Sequence, residues 1–184
     1  MVAALLTVVA GATLTPFEFA QTQTPKDVEY SKSISEASTG LQRMMSDIRQ
    51  AYHIVATTPN SIDFNAVINS SDLQVLYECD EPYPSNTGNT HYKEYRRCLR
   101  VSAPTGAALP SIATGWVVID RLLNGTAAAP VFTFKDSLGK LDPTNPTYVE
   151  ADLQVTARGA LNSGLNHTIE LHNGTAIPNL ALTK

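Results

Sequence analysis

The chain begins with an uncharged apolar run and then passes into a segment with helical spacing of its apolar residues. Residues 1–16, MVAALLTVVAGATLTP, contain no Asp, Glu, Lys or Arg. From Ile34, apolar residues recur at steps of three, four or seven, the spacing of one helix face. The side chains predicted to face a core are Leu41, Met44, Met45, Ile48 and Tyr52, and the helix is predicted to run to Val55 and to stop at Thr57-Thr-Pro-Asn60, since the residue before a proline disfavours the α conformation.

After Asn60 the hydrophobic period changes to two, which is typical of half-buried strands. The alternating segments are residues 62–68, 73–77, 149–158 and 168–172, with shorter candidates at 116–119 and 131–134. Alternation on one side predicts an antiparallel sheet with a single buried face. The predicted fold class is therefore α+β, a long N-terminal helix packed against an antiparallel sheet. The predicted divisions are an apolar stem (1–20), a polar stalk with the amphipathic helix (21–57) and a β body (58–184).

The apolar start has three interpretations. As a secretory signal it could be cleaved near Ala20, but no Lys or Arg precedes Lys26, whereas a signal begins with positive charge. As a complete membrane span it is short, because sixteen helical residues reach about 24 Å against a hydrocarbon core of roughly 30 Å. The third interpretation, a span whose first residues lie upstream of Met1, is favoured. The predicted stem residues are Val2, Leu5, Leu6, Val8, Val9 and Leu14, with Pro16 and Pro25 as helix kinks.

Composition excludes few functions, but it argues against nucleic-acid binding. The net charge is −4 and charged residues make up 16% of the 184 residues, while nucleic-acid binding calls for clustered Lys and Arg. The basic residues that do cluster, Lys93, Arg96, Arg97 and Arg100, are predicted to form a solvated strand face.

Cys79 and Cys98 flank a loop rich in Pro, Asn, Gly and Tyr, and a disulfide between them is predicted. Such a bond would contribute about 3 kcal/mol and would indicate an oxidising compartment. Two unrelated buried thiols are the alternative. Cys79 is in phase with apolar neighbours and Cys98 with Arg96 and Arg100, so a β-bulge or a strand end is expected near one of them.

No motif in the chain predicts catalysis or a cofactor. The histidines (His53, His91, His167 and His172) lack metal-ligand spacing, and neither a nucleophile elbow nor a phosphate loop occurs. Asp80 with Glu81, or Asp136 with Asp142, could supply oxygens to calcium, although capping of turns is the alternative use. The sequons at Asn69, Asn124, Asn166 and Asn173 are interpreted as turn residues, with Asn124-Gly125 as a tight turn.

Three stretches resemble the type IV pilin and type II secretion pseudopilin superfamily, in particular its J-type or pilus-assembly W-type minor subunits. Residues 1–12 resemble the continuation of the class III signal segment, and Pro16 lies where these proteins often carry a proline. Residues 37–51 are similar to the Gly-Leu-x-Arg-Met-x-Arg-Asp-Leu-Arg-Gln-Ala stretch of that subgroup. The last two predicted strands, 148–155 and 168–174, are similar in layout to its closing strands. The family's peptidase site is absent from the sequence.

The resemblance implies a non-enzymatic structural subunit without a cofactor. Its partners would be other pilin-like subunits, met through the N-terminal helix, and the cytoplasmic membrane before assembly. The body would lie outside the cytoplasm and later in a periplasmic or extracellular filament. Two alternatives stay open: a secreted β-rich binding domain with a cleaved N-terminus, and a major pilin that forms the filament body.

Overall fold

The computed structural model of the chain describes residues 30–85, 92–156 and 168–177. They form one helix, α1, at residues 30–49, and eight strands. The strands are β1 (Ala51–Thr58), β2 (Ser61–Ile68), β3 (Ser71–Pro82), β4 (Arg96–Pro104), β5 (Trp116–Leu122), β6 (Phe132–Lys135), β7 (Tyr148–Thr156) and β8 (Thr168–Ala176). Short 3-10 turns at Tyr92–Glu94 and Ile112–Thr114 flank β4.

All eight strands belong to one curled antiparallel sheet shaped like half a barrel. Strands β1 to β5 follow one another in order, after which β7 and β6 complete the row and β8 pairs with the other edge of β7. The curl brings the first hairpin next to β6. There the carbonyl oxygen of Pro59 accepts hydrogen bonds from the backbone N–H groups of Val131 (3.1 Å) and Phe132 (2.9 Å).

The core lies between α1 and the inner face of the sheet. Alternate residues of β2 and β3, among them Phe64, Val75 and Tyr77, are fully buried, as are Met44 and Ile48 of the helix. These side chains belong to a single hydrophobic cluster. The period-two pattern therefore places one face of each of these strands inward, as expected for a sheet with one buried face.

The predicted fold class, a long N-terminal helix packed on a sheet, is wrong. The described chain has one helix of modest length and is mostly β, with eight strands in a curled sheet. The helix ends at residue 49 instead of reaching Val55, because residues 51–58 pair with β2 through contacts such as Ile54 with Phe64. The aromatic and β-branched residues of this segment favour a strand once a partner strand is present.

The predicted stem and stalk fall outside the described residues. These are the division 1–20, the first part of the division 21–57, the stem residues Val2, Leu5, Leu6, Val8, Val9 and Leu14, and the kinks at Pro16 and Pro25. Within residues 30–85, 92–156 and 168–177, no helix is long and apolar enough to cross a membrane.

The structure contains the predicted disulfide. Cys79 on β3 is joined to Cys98 on β4, and both cysteines are fully buried. The conflict between their phases is resolved by β-bulges, because the pairing of β4 with β5 shifts register on both sides of Cys98. Cys98 and Leu99 can therefore both be buried although they are neighbours in the chain.

Candidate functional site

A groove of about 570 Å³ runs between α1 and strand β5. At its middle the helix approaches the strand so closely that a Cβ atom on Gly40 would lie 2.4 Å from the carbonyl oxygen of Val118. Only glycine fits there, so this residue sets the distance between helix and strand. Near one end, the guanidinium carbon of Arg43 lies 3.9 Å from the centre of the Trp116 ring. Because Arg43 faces the start of β5 and Gly40 faces its middle, helix and strand run in opposite directions.

The end of the groove beside Arg43 is apolar and cationic. Trp116 is 54% exposed and Val117 is 36% exposed, so both present apolar surface to solvent. Arg43 stacks on the indole ring in a cation–π arrangement, and among the described residues it has no carboxylate partner. A guanidinium carries five N–H donors, so stacking leaves this group able to donate hydrogen bonds to a ligand.

The opposite end of the groove is polar. Ser33, Glu36, Asp120, Arg121 and Thr156 line it. Arg121 is 7% exposed, and its Nε lies 3.5 Å from a carboxylate oxygen of Asp120. Its backbone φ is 56°, in the left-handed region that residues other than glycine rarely adopt. The cation at this end is therefore buried and paired, unlike Arg43.

Strand β5 pairs with another strand over most of its length along one edge only. One edge pairs with β4, for example Leu99 with Val117. On the other edge, the described pairing with β7 is limited to Leu122 with Val155. Residues 116–121 therefore lack a neighbouring strand on that side within the described chain, and at Val118 the helix lies against the strand instead.

A second polar group is buried beneath the helix, away from the groove. The Tyr77 hydroxyl donates to Oδ2 of Asp47 at 2.7 Å, and Nε of Arg100 donates to the same oxygen at 2.9 Å. Burial, followed by the nearby Asp47 charge, raises the pKa of Tyr77 well above its usual value, so this hydroxyl stays protonated. Since the three groups satisfy one another, the arrangement fastens the helix to β3 and β4 and offers no reactive group.

The predicted core residues of the helix lie as follows. Leu41, Met44, Met45 and Ile48 are buried and belong to the hydrophobic cluster. Tyr52 is half-buried on β1, and its hydroxyl donates to Oδ1 of Asp72 at 2.7 Å. Tyr52 therefore belongs to the outer hydrogen bonding of the sheet, in contrast to the prediction that placed it on the helix.

The basic cluster is not a uniform solvated face. Lys93 is exposed, and Arg96 and Arg97 are half-buried. The Arg100 side chain is only 12% exposed and pairs with Asp47, so the prediction is wrong for this residue. Asp47 lies 53 positions away in the sequence, and no local pattern in the sequence indicates the contact. The pairing of Arg43 with Trp116 was missed for the same reason.

Of the acidic residues considered for calcium, Asp136 and Asp142 cap turns in the structure, whereas Asp80 and Glu81 lie on β3. Oδ1 of Asp136 accepts the backbone N–H groups of Leu138 (2.8 Å) and Lys140 (2.9 Å). Oδ1 of Asp142 accepts those of Thr144 (2.9 Å) and Asn145 (3.0 Å). Across the described ranges, no group of three or more His, Cys, Asp or Glu side chains is arranged to hold a metal.

The sequon asparagines differ in their surroundings. Asn69 and Asn173 lie in strand or turn positions, Asn166 lies outside the described residues, and Asn124 is buried. The Asn124 side chain bonds to the backbone of β7. Gly125 follows with a φ of 88°, but the tight turn lies at residues 127–128, between the bridged residues Thr126 and Ala129, so the predicted turn at Asn124-Gly125 is wrong.

No family model, curated protein or solved structure matches this chain. Its function is therefore inferred from the residues and the geometry described above.

Proposed function

We propose that this chain is a non-enzymatic structural subunit of a type IV pilus or a type II secretion pseudopilus, as one of the minor pilin-like components. The observation that carries the proposal is the way α1 is fastened at one end. Its last turns are held by a buried ionic contact, while its first residues, 30–32, are exposed. The uncharged run 1–16 precedes this helix in the chain.

The fastening of the helix suits a subunit that transmits force. Asp47 bonds to both Tyr77 and Arg100, which lie on neighbouring strands, and Arg49 donates from Nε to the Thr175 hydroxyl of β8 at 3.1 Å. A pull on the helix would therefore act on both halves of the sheet. The disulfide between Cys79 and Cys98 ties the same strands together covalently.

The site chemistry supports a structural role. The buried polar group under the helix is internally satisfied, and the acidic residues of the loops cap turns. The disulfide favours a location outside the cytosol, because disulfides persist in oxidising compartments. Partners would be other pilin-like subunits and, before assembly, the cytoplasmic membrane, both met through the apolar N-terminal segment.

The test places a charge in the apolar segment. We expect Val9→Asp to abolish incorporation into filaments, because a carboxylate among apolar helices or lipid chains is strongly disfavoured. The matched control is Val67→Asp, since Val67 is 51% exposed on β2 and the same charge there meets water. Incorporation is measured by immunoblotting of sheared filaments from the native organism, with the β body probed for its disulfide in both variants.

Loss of incorporation in Val9→Asp alone, with the disulfide formed in both variants, supports the proposal. Normal incorporation of Val9→Asp would overturn it. The amount of subunit per filament also separates a minor component from the major-pilin alternative, because a major subunit dominates purified filaments.

A further inference from the structure

We propose that Asn69 is a site of N-glycosylation, and that the folded chain presents this sequon, in contrast to those at Asn124 and Asn173, to a glycosyl-transferring enzyme. The inference goes beyond the structural role proposed above and does not depend on it. The co-substrate is an oligosaccharide joined through pyrophosphate to a membrane lipid. The glycan is attached to the side-chain nitrogen of Asn69.

Asn69 lies at the tip of the hairpin between β2 and β3. Ile68 pairs with Ser71, so Asn69 and Ser70 form a two-residue turn. Their φ angles of 51° and 64° are positive at both positions, as a type I′ turn requires. Asn69, Ser70 and Ser71 are all exposed. The turn therefore holds the whole sequon on the surface of the body.

The geometry of the turn explains only part of this sequence. Asparagine tolerates a positive φ, so the turn accounts for the residue type at position 69. It does not account for the hydroxyl of Ser71, which pairs with Ile68 in an ordinary strand. Within residues 30–85, 92–156 and 168–177, no hydrogen bond joins the side chains of Asn69, Ser70 and Ser71 to another residue. A hydroxyl two positions after an asparagine is what an N-glycosylation acceptor requires.

The other two described sequons are closed in the folded chain. Asn124 is 2% exposed, and the nitrogen that would carry the sugar donates to the Asp152 carbonyl at 2.7 Å. Asn173 is half-buried, and the hydroxyl of its sequon belongs to Thr175, which is 4% exposed. That hydroxyl accepts a hydrogen bond from Nε of Arg49 at 3.1 Å. The fold therefore distinguishes the sequons by exposure.

The disulfide is an independent observation on the compartment. Cys79 is joined to Cys98, and disulfides persist in oxidising compartments outside the cytosol. An Asn-x-Ser/Thr sequence is an acceptor on the surface loops of secreted proteins. The chain therefore combines an exposed acceptor with the compartment in which such acceptors are modified.

The transfer step involves no oxidation or reduction. Nδ2 of Asn69 forms a bond to the anomeric carbon of the first sugar, and the bond from that carbon to the pyrophosphate oxygen breaks. The lipid pyrophosphate leaves with the electron pair of the broken bond, and the amide nitrogen loses one proton. The side chain remains an amide and now carries a bulky, solubilising group.

A glycan on this turn lies away from the apolar N-terminal run. Ala66 pairs with Ala51, which follows the end of α1, so the turn after β2 lies at that end of the helix. The helix, residues 30–49, rises about 30 Å at 1.5 Å per residue. A bulky group on Asn69 therefore leaves the first residues of α1 uncovered.

The test is mass spectrometry of the full chain isolated from its native organism, reduced and digested with trypsin. Cleavage after Lys and Arg places Asn69 in peptide 50–93, where it forms the sole sequon. Asn124 falls in peptide 122–135, whereas Asn166 and Asn173 share peptide 159–184. We expect the mass of an oligosaccharide on peptide 50–93, assigned to Asn69 by fragmentation, and an unmodified peptide 122–135.

Three variants expressed in the same organism identify the acceptor. Asn69→Gln should remove the added mass, and Ser71→Ala should remove it although Asn69 is retained. The matched control is Ser70→Ala, which should keep the glycan because the middle position of the sequon accepts any residue except proline. The disulfide is verified in each variant before reduction, so that loss of the glycan is separated from loss of the fold.

Four results would overturn the proposal. One is an unmodified peptide 50–93 in the natural chain, and another is an added mass that survives Ser71→Ala. An added mass that survives Asn69→Gln would place the sugar on a hydroxyl. A glycan on Asn124 would mean that exposure in the folded chain does not select the site.

Discussion

The two halves of the sheet are held together in different ways. In the first half, β1 to β4 form a meander whose ladders are continuous over long stretches. Strands β2 and β3, for instance, pair residue by residue from Ser61 with Glu78 to Ile68 with Ser71. In the second half, β5 and β7 meet only at Leu122 and Val155 within the described chain. In the second half β7 and β8 also pair residue by residue, from Tyr148 with Ala176 to Thr156 with Thr168. The weakly paired place is the junction of β5 with β7, where side chains are needed to hold the strands together.

The buried side-chain amide of Asn124 joins the end of β5 to β7. Nδ2 of Asn124 donates to the Asp152 carbonyl at 2.7 Å, and its Oδ1 accepts the backbone N–H of Gln154 at 3.0 Å. The amide thus bonds to both a donor and an acceptor of β7 and continues the contact just past the end of β5. The groove therefore lies at a local gap in the strand pairing. At one end of the gap the Asn124 side chain bonds to β7, where a strand ladder would otherwise continue.

The largest effect is expected where the helix joins the meander. We expect Asp47→Ala to lower the free energy of unfolding by about 3–5 kcal/mol, because it leaves the Arg100 cation and the Tyr77 hydroxyl buried without their partner. The measurement is urea unfolding with the disulfide intact. Asp63→Ala is the control, since Asp63 bonds to Gln74 in a half-buried position on β2 and its loss should cost about 1 kcal/mol. Equal losses in the two variants would contradict this account of the helix contact.

Each element could be predicted from the sequence as far as residues within that element decide its structure. The strands with clear alternation, such as β2 and β7, are present where the pattern predicts them. The end of the helix was misplaced because Tyr52 and Val55 continue the helical spacing, while pairing with β2 decides their conformation. Those partners lie across the hairpin that turns between Thr58 and Ser61, outside the segment whose helical spacing gave the prediction.

The groove could be predicted even less well. It requires Gly40 to approach Val118 and Arg43 to stack on Trp116, and these contacts join segments more than seventy residues apart. From its residue type alone, Gly40 is expected only to weaken the helix, since glycine is a poor helix former. In the structure its missing Cβ is what lets the helix approach β5.

An intermediate effect is expected in the second half of the sheet. We expect Asn124→Ala to lower the free energy of unfolding by about 2–3 kcal/mol, because a backbone donor and an acceptor of β7 lose their partner in a buried place. Asn145→Ala, at an exposed turn, should change it by less than about 0.5 kcal/mol. Urea unfolding gives both values. If the two variants unfold alike, Asn124 does not hold the second half as proposed.

The smallest effect on the free energy of unfolding is expected at the outer face of the meander. Its dependence on pH distinguishes it from the effects of Asp47→Ala and Asn124→Ala. Hydrogen bonds from the hydroxyls of Tyr52 and Thr105 lower the pKa of Asp72 below its usual 3.8. A lowered folded-state pKa stabilises the fold above pH 3.8, and this contribution is lost as the pH falls through the folded-state pKa. Relative to Asp72→Asn, the natural chain should therefore lose stability on acidification below about pH 4.

Glu78 supplies a control of opposite sign. Burial, followed by the charges of Asp80 and Glu81, raises the pKa of Glu78 above 4.5. A raised carboxyl pKa means that the fold loses stability as the pH rises through that range. The free energy of unfolding of Glu78→Gln should therefore increase relative to that of the natural chain as the pH rises. Urea unfolding of the three proteins between about pH 3 and pH 7 measures both slopes. Slopes of the same sign for Asp72→Asn and Glu78→Gln would show that the hydrogen bonds of Tyr52 and Thr105 do not stabilise the charged form of Asp72, and that this face is held by its ladders alone.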